Sequence, residues 1–317
     1  MTLDKQLPRS RERSGLRAWL DAMPHPPLVF EIAASHVAAA RWGRMLGHLA
    51  AFHAQPLPEG AIVPSATQSN IINADGLRSA IQSVLARVSA QGQNVALLVP
   101  DPVIRVFILQ FDTFPRRADE AVPLLRWRLK KILPFDAEEA AISWRRQQSR
   151  EGKPEIVAAV ARQKIIREYE IALEEHGLYP GVVQSSTLAT LAILDGAEAT
   201  LLARMSGRNL TTVIFRGETL CVYRSTELGG GSLAPQAVLD EVFPSVAFYQ
   251  DTWGGKVARL RLAGFSDAEE AVRESLAREM ECEASSLARP GDFSEAARSL
   301  MSQGLESLVG WQMQHGA

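Results

Sequence analysis

Cysteine is scarce. Cys221 and Cys282 are the only two in 317 residues, and at that separation they form neither a metal-binding nor a redox motif. A disulfide scaffold is excluded, and a reduced, cytosolic setting is the simple expectation. Long apolar runs are missing as well. Val95 to Pro100 is of strand length, well short of the ~18 residues that suggest a membrane span. The basic residues at the start of the chain are not followed by an apolar run, so no signal peptide is expected. Net charge is only −2, with a pI near 6.3, and a chain so nearly neutral has no global field to recruit nucleic acid. The six histidines show no zinc spacing, so no metal is expected. No Gly-x-Ser-x-Gly elbow occurs. Gly254-Gly255-Lys256 fails as a P-loop because Gln250 stands where the leading glycine is needed. Carboxylates are plentiful, but no pair stands out as an acid/base couple.

What is present is a patterned, apolar chain. Apolar residues make up 46%, enough for one large core or for two lobes that each bury one. Residues 1–27 form a polar and basic extension (Lys5, Arg9, Arg11, Arg13, Arg17). Leu16, Trp19, Leu20 and Met23 recur there at helical spacing. That segment reads either as an amphipathic helix for a membrane surface or partner, or as a loosely packed extension. From Leu28 the pattern predicts strands at Leu28–Ile32, Val37–Trp42 and Met45–Phe52. A helix is predicted over Asp75–Ala90, with Asp75 as its N-cap and Gly92 just past its end. Val95–Val99 follows as a strand buried on both faces.

Residues 103–178 read strand, helix, strand, strand, helix: Val103–Leu109, Asp119–Leu133 stopped by Pro134, Ala140–Gln147, Ile156–Ala161, and Gln163–His176 closed by Gly177. Val182–Leu194 begins as a strand and runs into a helix. Beyond Ala199 strands are expected at Thr200–Ala203, Thr211–Phe215 and Thr219–Arg224, with Gly217 in a hairpin turn. Gly229-Gly230-Gly231 reads as a tight bend, or as backbone NH groups for a phosphate. A helix (Ala237–Gln250), a strand (Val257–Ala263), a helix (Ala268–Met280) and a final helix (Phe293–Gln314) complete the chain. Three strands, a helix, a strand and a helix occur twice in the same order, which is an internal duplication. The division expected is an extension at 1–27, a first lobe at 28–102 plus 179–198, a βαββα insertion at 103–178, and a second lobe with the C-terminal helix at 199–317.

Four stretches carry a family resemblance. They are Leu57-Pro58-Glu59-Gly60-Ala61-Ile62 before the Asp75 helix; Val95 to Pro100 with Val103-Ile104-Arg105; Leu125-Arg126-Trp127 leading to Ile132-Leu133-Pro134-Phe135-Asp136-Ala137-Glu138-Glu139; and Thr219-Leu220 to Arg224, then Gly229-Gly230, then Glu241 to Tyr249. Over roughly residues 28–315 the chain resembles PilM, the cytoplasmic actin-like family of type IV pilus assembly. The Trp-to-Pro-Phe segment is the most specific match. The resemblance implies an α/β, actin-like (ribonuclease H-like) duplicated two-lobe fold with a small βαββα insertion. It implies a cytoplasmic scaffold of a pilus or related secretion platform, held at the inner membrane through its partners. In the family, a cleft between the first lobe and the insertion receives the cytoplasmic tail of the membrane protein PilN. The residues expected to line it here are Val106, Trp127, Leu133, Pro134 and Phe135, of which Trp127 and Phe135 read equally as insertion core. Other pilus-platform proteins are further expected partners.

The departures from that pattern concern nucleotide. The family's first phosphate loop resembles Asp-Ile-Gly-Ser-Ser-Ser-Val-Lys. Here Glu31 stands for the Asp, Ala33 for the Gly and Ala38 for the Lys. A methyl group in place of the glycine interferes with close backbone approach to phosphate. The second Asp-x-Gly aligns to Ala203 and Met205. Ala203 cannot orient Mg²⁺, and Met205 would fill phosphate space. The adenosine-side glycine-rich pattern becomes Leu262-Ala263-Gly264-Phe265-Ser266, where Phe265 would crowd the base. A scaffold with no catalytic residues and no cofactor is therefore the expectation. The alternatives are an ATP-dependent actin-like protein or kinase with unusual loops, and a filament subunit. Arg126, Arg128, Lys130 and Lys131 form a basic stripe, readable as a solvated helix face or as a contact with an acidic partner or lipid headgroups.

Overall fold

A computed structural model describes residues 25–43, 49–89, 93–147, 152–194, 197–229, 233–287 and 293–314. The expectations for residues 1–24, for Met45 to His48, for Gly92 and for Gly230-Gly231 lie outside these residues.

The first lobe opens with β1 (Leu28–Ile32), β2 (His36–Trp42) and β3 (Leu49–Pro56), an antiparallel meander. Helix α1 (Ala74–Val88) follows, then β4 (Asn94–Val99), parallel to β1. The cap of α1 is Asn73, not Asp75: the Asn73 side chain accepts from the Gly76 amide, while Asp75 sits in the first turn, where it pairs with Arg78 at 2.7 Å. The helix stops at Ser89, which is left-handed with φ 52°.

The chain then leaves the lobe. A 3₁₀ turn at Asp101–Val103 leads into β5 (Arg105–Gln110), α2 (Ala118–Leu129), β6 (Ala140–Gln147) and β7 (Glu155–Arg162). These strands form a three-stranded sheet in the order β5-β7-β6. Helix α2 covers one face of it through Leu125, Leu129 and Ile156. It ends at Leu129, before Pro134, because the Ile132 and Leu133 amides turn back onto the Leu129 carbonyl. Val106, Ile108 and Val157 face the other way, into the core between the lobes. Helix α3 (Gln163–Glu174), β8 (Tyr179–Ser185) and the short α4 (Ser186–Thr190) return to the first lobe, whose sheet runs β3-β2-β1-β4-β8. The expected βαββα insertion is therefore βαββ, because Ile165, Tyr169 and Leu173 of α3 pack in the first-lobe core with α1.

The second lobe comprises β9 (Ala199–Ser206), β10 (Asn209–Arg216), β11 (Thr219–Glu227), α5 (Pro235–Trp253), β12 (Arg259–Ala263), α6 (Glu269–Met280) and β13 (Glu283–Ser286). Its sheet runs β11-β10-β9-β12-β13, the same topology strand for strand. Strand β13 has no counterpart in the sequence reading: Glu-Ala-Ser-Ser offers no apolar alternation, and only its parallel pairing with β12 makes it a strand.

The expected single C-terminal helix is two, α7 (Glu295–Met301) and α8 (Glu306–Met313). They are broken at Gly304, whose φ of +76° no helix accommodates. Helix α8 packs on first-lobe elements, not within the second lobe where it was expected. A Cβ on Gly310 would lie 2.2 Å from the Ala189 carbonyl oxygen, so only glycine permits this approach to α4. Trp311 stacks on His25 at 4.6 Å and donates through Nε1 to the Pro26 carbonyl at 3.3 Å. One apolar core joins Val29 and Ala38 of the first lobe, Leu202 and Val213 of the second, and Leu308 and Trp311 of α8.

Candidate functional site: the interlobe cleft and an adjoining trough

The β1–β2 and β9–β10 hairpins face each other across the lobes, and strand alternation decides what they present. In β1, Phe30 and Ile32 enter the first-lobe core under α1, which turns Glu31 to the cleft. In β9, Leu201, Ala203 and Met205 enter the second-lobe core, which turns Leu202 and Arg204 to the cleft. The hairpin registers match. Glu31 pairs with Ala38 and Ile32 with Val37, and the Ala33 amide closes onto the His36 carbonyl. Arg204 pairs with Thr211, Met205 with Leu210 and Ser206 with Asn209. Glu31 and Arg204 therefore stand at equivalent positions of the two hairpins.

This corrects the expectation for the second loop. The counterpart of Glu31 is Arg204, one residue after Ala203. Met205 is buried in the second-lobe core and does not reach into the cleft. Phe265 is likewise fully buried in that core. Gly264 is there for backbone reasons: its φ is +77°, and a Cβ would meet the Met205 carbonyl oxygen at 2.1 Å. Ala33 is buried beside the first turn, as is Ala38 in β2.

Arg204 is buried between two buried carboxylates. Its guanidinium stands 3.7 Å from Glu31 and 3.8 Å from Asp101, and it donates to the Thr187 hydroxyl at 3.4 Å. Asp101 is closely held. It accepts from the Thr187 amide (3.0 Å) and hydroxyl (2.5 Å), from the Thr211 hydroxyl (2.8 Å) and from the Tyr223 hydroxyl (3.3 Å). Thr187 belongs to the first lobe and Thr211 and Tyr223 to the second, so Asp101 and Arg204 tie the lobes together from both sides. Glu31 also accepts from the Ser307 hydroxyl of α8 at 2.7 Å, and the His36 ring nitrogen Nε2 lies 3.7 Å away. Burial pushes the Glu31 carboxyl up, but His36 and Arg204 outweigh it and hold the pKa down at about 2. Burial works against the Arg204 charge, yet Glu31 and Asp101 raise its pKa. Glu306 is pushed up by burial against the pull of Arg204. Burial, then Asp101, raise the Tyr223 phenol.

These residues do not fit a magnesium nucleotide. The chain itself supplies the cation between the two acids. The hairpin tips also approach closely: a Cβ on Gly207 would lie 3.8 Å from the Ala34 Cβ, in ordinary van der Waals contact. Among the described residues, no group of three or more His, Cys, Asp or Glu side chains is placed to hold a metal ion. Sequence reasoning missed Arg204, Asp101, Thr211 and Tyr223. The available signal was an arginine set inside the apolar run Leu201-Leu202-Ala203-Arg204-Met205.

The five residues expected to line a partner cleft do not come together. Leu133 and Phe135 pack in the insertion core under α2. Trp127 is 71% exposed on the outer face of α2, not core, and Pro134 is exposed. Val106 faces the opposite side of the sheet. There two grooves, of about 380 and 490 Å³, share Val106, Phe107 and Tyr223 and so form one trough. Asp101 and Pro102 line it as well, β5 forms one wall, and β11 with Phe248, Thr252 and Trp253 of α5 forms the other. The trough therefore lies between the insertion and the second lobe and not, as expected, between the first lobe and the insertion. Both β5 and β11 are edge strands.

The fold defines a class: duplicated lobes of this topology, with the insertion between β4 and α3, are those of an actin-like protein. No family model matches the chain, and no curated protein matches it in sequence. Solved structures do match in shape. PilM from the PilM–PilN type IV pilus biogenesis complex superimposes with a TM-score of 0.72 at 16% identity, covering 93% of this chain and 100% of the other. The cytoplasmic domain of EpsL, an inner-membrane component of the type II secretion system of Vibrio cholerae, gives 0.46 at 13% identity over 74% and 80% of the chains. A Bacteroides thetaiotaomicron protein with an actin-like ATPase fold and unknown function gives 0.49 at 10% identity over 88% and 95%. The fold of this chain is that of PilM.

Proposed function

We propose that this protein is a nucleotide-free cytoplasmic scaffold of a type IV pilus or related secretion platform, and that its trough takes the extended cytoplasmic tail of a PilN-like membrane protein. One observation carries the scaffold reading: in a PilM fold, the equivalent positions of the two phosphate hairpins hold Glu31 and Arg204, paired across closed tips. An ion pair there occupies the place of a ligand, and switching falls to partner binding. The trough suits an extended peptide, whose alternate side chains would enter apolar pockets along it. Val106, Ile108, Val222, Phe248 and Trp253 supply those pockets. Asp101 and Tyr223 line the trough and also belong to the interlobe network, so an occupied trough bears on the lobe contact.

The test is calorimetry with a peptide copying the first residues of a PilN-like membrane protein from the same organism. Micromolar binding, weakened by Phe248→Glu, supports the reading. No binding at high micromolar peptide contradicts it.

A further inference from the structure

The outer face of α2 carries a patch that the trough does not use. Helix α2 buries Ala121, Leu125 and Leu129. At 100° per residue Trp127, Lys130 and Lys131 then fall on the opposite side. Trp127 is 71% exposed and Ile132, just past the helix end, 49% exposed. Arg128 is exposed beside them. None of Arg128, Lys130 and Lys131 has a carboxylate within ion-pair distance among the described residues, whereas the half-buried Arg126 reaches Glu138 at 3.7 Å. The acids of this helix, Asp119 and Glu120, lie in its first turn, and Asp119 is paired with Arg117.

Cations at a helix C-terminus are explained by the macrodipole alone. An indole left 71% exposed beside them is not. A large amphipathic ring with an exposed aliphatic neighbour and unpaired basic side chains is the composition that settles at a membrane interface, ring at the headgroup level and cations on anionic lipid. A protein surface with an apolar, acidic patch is the competing occupant, and the polyglutamate arm of the test below stands for it.

We propose that the face of α2 that carries Trp127, with Lys130 and Lys131 just past the helix end, docks on an anionic lipid bilayer. The patch lies on the far side of the insertion sheet from the trough, since α2 covers the Leu125 and Ile156 face while Val106 and Ile108 point to the lobes. Docking therefore leaves the trough open.

The experiment is co-sedimentation of the full chain with vesicles of phosphatidylglycerol in phosphatidylcholine, and with phosphatidylcholine alone. The wild type is expected to bind the anionic vesicles only, and less as salt rises. Neutralising Lys130 and Lys131 together to alanine is expected to weaken binding by about 30-fold, roughly fivefold per cation near the surface. Trp127→Ala is expected to weaken it further and to remove quenching by brominated lipid. Tail-peptide calorimetry on the same variants, expected to be unchanged, shows that they are folded and separates this result from the fate of the trough. Three outcomes overturn the proposal: no vesicle binding by the wild type, equal binding by the wild type and the variants, or tight binding of polyglutamate without binding of vesicles.

Discussion

The β1–β2 and β9–β10 hairpins are the same object built twice. Both are antiparallel, both open their sheet, and both set one polar side chain at an equivalent distance from a tight tip. They differ in the sign of that side chain. Two carboxylates at these positions repel each other until a cation lies between them, which is the arrangement a magnesium nucleotide exploits. Glu31 facing Arg204 needs no such visitor. On the reading proposed above, one inversion of charge puts an interlobe tie where a ligand would lie, in an unchanged topology.

The largest expected effect comes from breaking the comparison on its positive side. Arg204→Ala removes the guanidinium between the buried Glu31 and Asp101 and should cost about 3–5 kcal/mol in chemical denaturation. Replacing Glu31 and Arg204 together by uncharged residues should recover much of that, because a buried pair is costly to halve but not to remove whole.

Glu31 also sets a pH dependence, its carboxyl held down against burial first by His36 and then by Arg204. The Glu31 pKa falls from 4.5 to about 2 on folding. Its stabilisation is therefore present above pH 4.5 and lost as pH falls toward 2, on the order of 3 kcal/mol in all. Thermal scans from pH 7 downward should show this slope in the wild type and a flatter one in Glu31→Gln.

Smaller effects sharpen the rest. Gly264→Ala forces a side chain into φ +77° and against the Met205 carbonyl, for a loss of about 1–3 kcal/mol measured by denaturation. Phe248→Glu places a charge on a residue that is 55% exposed, so the fold should tolerate it while tail-peptide affinity falls roughly tenfold, about 1.4 kcal/mol. The smallest effect is of opposite sign to the rest. Burial raises the Glu306 pKa, so this carboxyl favours the folded state at low pH and disfavours it once pH rises above the unfolded value. Glu306→Gln should give a slight gain in melting temperature at neutral pH.

The lobes were legible in the sequence because hydrophobic alternation and turn residues act locally. Strand β1 falls on Leu28–Ile32 and β6 on Ala140–Gln147, as their pattern predicts. Strand β13 was illegible because its stability is borrowed from β12. The break in the C-terminal helix rests on the φ of a single glycine, Gly304. The site was legible only as a set of losses. Reading Ala203 and Met205 against a motif missed the intervening residue, since strand facing and hairpin register, not similarity of letters, decide which side chain enters the cleft. Trp127 was ambiguous for the same reason: its helix face depends on which side of α2 the sheet covers.

Magnesium-ATP calorimetry on the wild-type chain tests the central claim most directly. If the Glu31–Arg204 tie fills the cleft, titration to millimolar nucleotide gives no heat beyond dilution. A saturable isotherm that Glu31→Ala abolishes would contradict the account and return the protein to the nucleotide-dependent actin-like proteins.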